Sequence, residues 1–275
     1  MSNEDFDSVK SSKLALTARA LIVEMHSRAK SSHIGSALSV VDILAVIYSG
    51  GSNICLEMKD KSDRDIIILS KGHATSALYA ILATKQFFPK DWLQRYYSDG
   101  AELGGHATSW GVPGIELSTG SLGHGLPYGL GIQLSRKIDG ITGQTIVIIS
   151  DGECNEGTTW ESALIASHHN LKNLTVIIDK NGLQGLGFTE DILNLGSLEE
   201  KFKTFGWYVL SIDGHNHAEI FKSLKDNSSD KPKCIIANTV KGKGVSFMEN
   251  QIAWHYKSPS PEELRSALEL LRELT

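Results

Sequence analysis

Two runs of apolar, β-branched residues end in oxygen-bearing side chains thirty positions apart. Thr145-Ile-Val-Ile-Ile-Ser150 leads into Asp151-Gly152-Glu-Cys-Asn-Glu156-Gly157, and Leu174-Thr-Val-Ile-Ile-Asp-Lys leads into Asn181-Gly182-Leu183. A carboxylate and an amide oxygen are hard donors. Two of them on neighbouring loops suit Mg2+ or Ca2+, with phosphate oxygens and water completing the shell. The interval accommodates a crossover helix and a parallel strand, so Asp151 and Asn181 are expected side by side. They would then lie at the carboxyl ends of strands, where open α/β sheets bind ligands. Each Asp-Gly or Asn-Gly dipeptide alone is also an ordinary turn former; the pair at this spacing is what points to a ligand.

Histidines give the second signal. Of His33, His73, His106, His124 and His255, four stand within two residues of a glycine. That places them in turns or loops, where site residues concentrate, and a neutral imidazole can take or give a proton near physiological pH. His168 and His169 instead close an amphipathic stretch and favour its negative end, while His26, His215 and His217 read as surface residues. The loop Leu117-Ser-Thr-Gly120-Ser121-Leu122-Gly123-His-Gly125 opens a helix and has backbone N–H groups to offer an anion. The same composition also makes a plain turn and cap.

Regular elements must hold these groups. Apolar positions at spacings near 3.6 predict a helix over Ser8–Ala29. Ser39-x-x-Asp42 resembles a capping box and predicts a second helix from Ser39. Strands are predicted at Asp65–Leu69, Thr145–Ile149, Leu174–Ile178, Trp207–Ile212 and Cys234–Ala237. Between them lie helical stretches at His73–Thr84, Pro89–Tyr97, Leu122–Lys137, Thr158–His168, Leu198–Phe205 and Ala218–Asp226. Ser260-Pro-Glu-Glu263 predicts a last helix running through Leu264–Leu274. Strands apolar throughout and alternating with helices imply a doubly wound, mostly parallel α/β sheet with helices on both faces.

Composition bounds the remaining possibilities. The chain has 275 residues, 41% hydrophobic and 21% charged, which is ordinary globular composition, and one large domain is the economical reading. With 27 Lys+Arg against 32 Asp+Glu the net charge is −5, so neither nucleic acid nor an anionic membrane is an expected partner. Uninterrupted apolar runs such as Ile66–Leu69 and Ile146–Ile149 are far shorter than a membrane span requires. The acidic start Met1-Ser-Asn-Glu-Asp-Phe-Asp lacks a signal-peptide core, so a cytoplasmic location is expected. Cys55, Cys154 and Cys234 are odd in number and not spaced as metal ligands.

From about Leu14 to His255 the chain resembles the N-terminal, diphosphate-binding domain of transketolases. The matching segments are Ser32-His33-Ile-Gly35, Asp65-Ile-Ile-Ile-Leu-Ser-Lys-Gly-His73, Gly105-His106, Val112-Pro-Gly-Ile-Glu-Leu-Ser-Thr-Gly-Ser-Leu-Gly123, Asp151-Gly-Glu-Cys-Asn-Glu-Gly157 and Asp179-Lys-Asn-Gly-Leu-Gln184. The resemblance implies thiamine diphosphate with Mg2+, or Ca2+ or Mn2+ in its place. It implies that Asp151, Asn181 and the Leu183 carbonyl hold the metal, and that His73, Gly120, Ser121, Leu122, Ser150, Gly152 and Glu156 stand at the cofactor. His33, His106 and His255 are implied to handle the hydroxyls of a ketose, expected to be phosphorylated, during transfer of a two-carbon ketol unit to an aldose.

Length adjusts that expectation. Complete transketolases continue into a pyrimidine-binding domain, which supplies a ring-activating glutamate, and a third domain; only twenty residues follow His255 here. The resemblance is therefore to the N-terminal subunit of split transketolases. Residues 1–275 are expected to form a single diphosphate-binding domain, with the pyrimidine-binding and C-terminal domains on a partner chain. Self-association, or a heterotetramer with that C-terminal subunit, follows from the same resemblance. Glu156 and Glu161 correspond to family glutamates near the subunit interface. Ser150, Ile34, Ala107-Thr108, His124 and Gln184-Gly185-Leu186-Gly187 depart from the family pattern and point to a specialised donor or acceptor. A deoxyxylulose-phosphate-synthase-like or 2-oxo-acid-dehydrogenase-like subunit, and a non-catalytic cofactor-binding scaffold, are the competing readings.

Overall fold

Five short runs rich in β-branched residues form one wholly parallel sheet, because four of them are buried on both alternating faces and need cover on both. The edge run Tyr208–Asp213 leaves Ser211 and Asp213 exposed. The computed structural model describes residues 6–58 and 60–274; of the acidic amino terminus, Met1–Asp5 lie outside them. The strands are β1 (Ile66–Leu69), β2 (Thr145–Ser150), β3 (Leu174–Lys180), β4 (Tyr208–Asp213) and β5 (Lys233–Asn238), in the order β1-β2-β3-β5-β4. Ile67, Leu69, Ile146, Ile148, Ile177 and Ile235 point into one core. Their neighbours Ile68, Val147, Ile149, Val176, Ile178 and Ile236 point into the other, as the two-residue period of a strand dictates.

On the first face lie α1 (Ser8–Ala29), α2 (Ile34–Val46), α3 (Thr75–Thr84), α8 (His217–Lys225) and α9 (Pro261–Glu273). The second is covered by α4 (Gly125–Asp139), α5 (Gly157–His168) and α7 (Leu198–Thr204). A short α6 (Thr189–Leu193), marked by no pattern in the sequence, sits beyond β3. The doubly wound α/β architecture and all five strands agree with the sequence. So does the capping box of α9, in which Ser260 and Glu263 bond each other's backbone N–H groups.

Local pattern misleads at several points. Helix α2 begins at Ile34, not Ser39, and all of its residues are buried. Ser39 and Asp42 are not caps: Ser39 Oγ donates to the Asp179 carboxylate at 2.6 Å, and Asp42 pairs with Arg19. The 34–51 segment is long and apolar enough to cross a membrane, although no unbroken apolar run reveals it; here it is 89% buried as the central core helix and the turn after it. Residues 89–97 form only a 3-10 turn over Lys90–Arg95, with Leu93 its sole buried side chain, too little packing to stabilise an α-helix. Helix α4 starts at Gly125 rather than Leu122.

Three histidines read as surface residues are interior ones. His26 is wholly buried and bonds Ser31 and Ser76, and His215 and His217 both bond the buried Asp42.

Candidate active site

The loops after β2 and β3 are wired to each other by the side chains that end the strands. Ser150 lies opposite Asp179 in the register, so Asp151 and Asn181 leave the sheet as neighbours. Asp151 Oδ1 accepts from the Gly152 N–H at 2.8 Å, and Oδ2 accepts from the Gly182 N–H at 2.7 Å and from Thr189 at 3.2 Å. Asn181 Oδ1 accepts from the Leu183 N–H at 3.1 Å, and the Leu183 carbonyl accepts from Lys241 Nζ at 3.0 Å. Burial, with the nearby Asp179 charge, raises the Asp151 carboxyl above its usual range.

The Asp151 carboxylate is buried, and the donors at hand are a carboxylate, an amide oxygen and a peptide carbonyl. That set fits a hard divalent ion such as Mg2+. Among the described residues no three His, Cys, Asp or Glu side chains converge as a metal site, so a soft or transition-metal centre has no such cluster to occupy.

These strand ends form one wall of a cavity of about 340 Å3. The other walls bring together His33, His73, His106, Gly120, Leu122 and His255 from separate stretches of chain. Ring centroids of His73, His106 and His255 lie 5.3, 5.8 and 4.9 Å from that of His33. Close backbone approach makes this possible. A Cβ on Gly72 would stand 2.5 Å from the Thr119 carbonyl, and Thr119 Oγ1 bonds the end of β1 through the Leu69 carbonyl at 2.8 Å. The loop carrying His106 and Gly120 is thereby pinned beside His73.

Burial dominates the protonation of this cluster. It pushes His33 down to about 4, helped by His106 and the ammonium groups of Lys241 and Lys71. His255 falls to about 3 through burial and Lys241, and His73 falls well below its ordinary value through burial and Lys71. All three rings are neutral at pH 7. Lys241 Nζ lies 2.8 Å from His255 Nδ1; an ammonium can only donate, so Nδ1 accepts and the ring hydrogen sits on Nε2.

Of the residues singled out in the sequence, Ser150, Asp151, Gly152, Asn181 and Leu183 line the cavity with the four histidines, Gly120 and Leu122. Ser121, His124 and Glu156 are exposed and stand outside the lining.

The structure adds groups the sequence did not mark. Lys71 and Asp179 form an ion pair with both side chains at 0% exposure; removing one partner of such a pair typically costs about 3–5 kcal/mol. Glu153, also fully buried, accepts from Ser70 and from the Gly123 N–H, tying the Gly120–Gly123 loop to the end of β2. Lys241 and Tyr256 complete the set. The acidic turn gives no sign that Glu153 turns inward, and no local pattern distinguishes a buried lysine from a solvated one.

Comparison with known proteins agrees with this geometry. Residues 10–268 match the family described as "Transketolase, thiamine diphosphate binding domain". An apulose-4-phosphate transketolase subunit of Actinobacillus succinogenes is 38% identical over 272 residues, 98% of each chain. The 6-deoxy-6-sulfo-D-fructose transketolase subunit SqwG of a Clostridium species is 37% identical over 252 residues, 91% of this chain and 92% of that one. The crystal structure of Campylobacter jejuni transketolase superposes with a TM-score of 0.90 at 27% identity, covering 97% of this chain and 43% of that one. The chain thus spans about two fifths of the solved transketolase. Fold, strand-end oxygens and extent of match converge: the chain belongs to the transketolase family, as its thiamine diphosphate-binding domain.

Proposed function

We propose that this chain is the diphosphate-binding subunit of a two-chain transketolase, transferring a two-carbon ketol unit from a ketose, phosphorylated or otherwise anionic, to an aldose. The observation that carries the reading is the single cavity in which four imidazoles face a carboxylate, an amide and a carbonyl oxygen. End-to-end similarity to proteins that are themselves named as transketolase subunits supports a division of the enzyme between chains. The pyrimidine-binding and C-terminal domains would then belong to a partner, in a heterotetramer of two chains of each kind.

Asp151 and Asn181 with the Leu183 carbonyl would hold Mg2+. The N–H groups of Gly120 and Leu122 and the His73 ring would face the diphosphate, with Gly152 lining the same wall. Thiamine diphosphate, when bound, supplies the electron sink for breaking the C–C bond beside a ketose carbonyl. The chain supplies neutral hydrogen-bonding rings. A base with a pKa near 3 or 4 holds no proton at neutral pH, so His33 and His255 orient hydroxyls and pass protons on rather than store them. His255 presents Nε2–H as a donor because Lys241 occupies its Nδ1. His106, whose ring centroid lies 5.8 Å from that of His33, would be a further ring at the ketose hydroxyls.

The test is a ketol-transfer assay on the purified chain, with and without the partner co-purified from its native source. Turnover is expected only with the partner, on ketose donors. Full-rate transfer by the chain alone, shown by mass spectrometry to be free of other polypeptides, would overturn the two-chain reading. Carbon dioxide release from a 2-oxo acid would favour a decarboxylating enzyme, and silence with every donor a scaffold.

A further inference from the structure

Behind the cavity lies a second polar cluster that touches no part of it. Asp42 sits on α2 nine residues from His33, about 13 Å along the helix, and is 4% exposed. Its carboxylate accepts from Arg19 at 3.0 and 2.5 Å, from His215 at 2.6 Å and from His217 at 3.1 Å. Burial works against the charge, but Arg19 and the two histidine bonds hold the Asp42 carboxyl well below the ordinary carboxylate range.

Two of these partners reach onward to one loop. His215 gives its Nδ1 hydrogen to Asp42, which leaves Nε2 as an acceptor, and Nε2 takes the Val240 N–H at 2.8 Å. Arg19 Nε donates to the Lys243 carbonyl at 3.0 Å. The bonds therefore grip the backbone on either side of Lys241. The third partner does not: His217 turns its other nitrogen to Ser11, at 2.7 Å.

Lys241 is the loop's projection into the site. Its stem passes over Gly35, where a Cβ would stand 3.0 Å from Lys241 Cγ, and its ammonium bonds the Leu183 carbonyl and His255 Nδ1. A lysine stem is flexible, so the position of its charge depends on where the backbone is fixed.

We propose that Asp42, acting through His215 and Arg19, is a positioning residue that clamps the 240–243 backbone and so sets Lys241 against His255 and the diphosphate end of the cavity. The inference rests on the functional reading above only in what Lys241 serves; the clamp itself is a property of this chain.

His215→Ala, His215→Gln and His217→Gln separate the roles, read by amide hydrogen exchange at Val240 and by calorimetric titration of thiamine diphosphate with Mg2+. His215→Ala should speed Val240 exchange at least tenfold over the surrounding core and weaken thiamine diphosphate about tenfold, the lower end for loss of a supporting partner. His215→Gln, whose amide oxygen can accept from Val240, should restore most of both. His217→Gln leaves the Arg19 and His215 bonds to Asp42 in place and does not touch the loop, and should leave both unchanged even if the melting temperature falls. Unaltered Val240 exchange in His215→Ala would overturn the clamp, and faster exchange with unaltered affinity would overturn its role toward the site. If His215→Ala does not fold, His215→Gln with Val240 no better protected than its solvent-exposed neighbours would overturn the clamp equally. Wild-type chain that takes up no thiamine diphosphate, alone or with its partner, would count against the functional reading, while Val240 exchange would still decide the clamp.

Discussion

The backbone N–H of His33 donates to the carbonyl of His255 at 2.7 Å, so the first and last histidines of the cavity are tied main chain to main chain. His33 also stands at φ 76, left-handed for a residue with a Cβ, at the start of α2 with no side-chain cap. Such a conformation costs on the order of 1 kcal/mol or more and persists where surrounding structure over-determines it. Here the bond to His255 and the turn into α2 do so, and the result aims both imidazoles into one space.

Removal of either proposed metal ligand should be felt first in cofactor binding. Asp151→Ala and Asn181→Ala each take one hard oxygen from the site, and we expect thiamine diphosphate affinity in the presence of Mg2+ to fall at least tenfold. Isothermal titration with and without EDTA measures this. Affinity unchanged in both variants would show that the metal lies elsewhere or is not used.

The four cavity histidines should divide by kinetic signature. His106→Ala, His33→Ala and His255→Ala should lower kcat of the assembled enzyme by about 100-fold, the low end for a group acting on protons in the reaction, with cofactor affinity nearly intact. His73→Ala should do the reverse. Full turnover by His106→Ala on the true donor would remove that ring from ketose handling.

Acid should destabilise the chain earlier than carboxylate titration alone would. His26 is wholly buried, and burial pushes it down to about 4, opposed by its bond to the Ser31 carbonyl. Between pH 6.5 and 4 the unfolded chain therefore binds a proton that the native state refuses, and stability falls as pH falls through that window. From pH 7 to pH 5 the loss from His26 is about 2 kcal/mol, and His33 and His255 act in the same direction. Urea unfolding at the two pH values reads the difference; His26→Gln should shrink it, and an undiminished loss in that variant would mean that His26 is charged in the native state.

Where the responsible interaction is local, the amino-acid string already contains it. The period of α1 marks Ser8–Ala29 to the residue, Ser260 and Glu263 announce α9 because a capping box closes within one turn, and β-branched runs place the five strands. The interval between Asp151 and Asn181 belongs with these, since one crossover between parallel neighbours sets it. Ser39 and Asp42 show where such reasoning fails. They have the spacing of a helix start, yet sit inside α2 because Asp179, Arg19 and His215, far away in the chain, supply their partners. His26, Lys71 and Lys241 carry no local mark either, for a polar side chain is buried only where the fold brings it a partner, and that partner is chosen by long-range packing. Residue types and spacing thus named the chemistry of the strand ends, whereas the tertiary structure alone decided which imidazoles meet, which are neutral, and which lysine stands beside them.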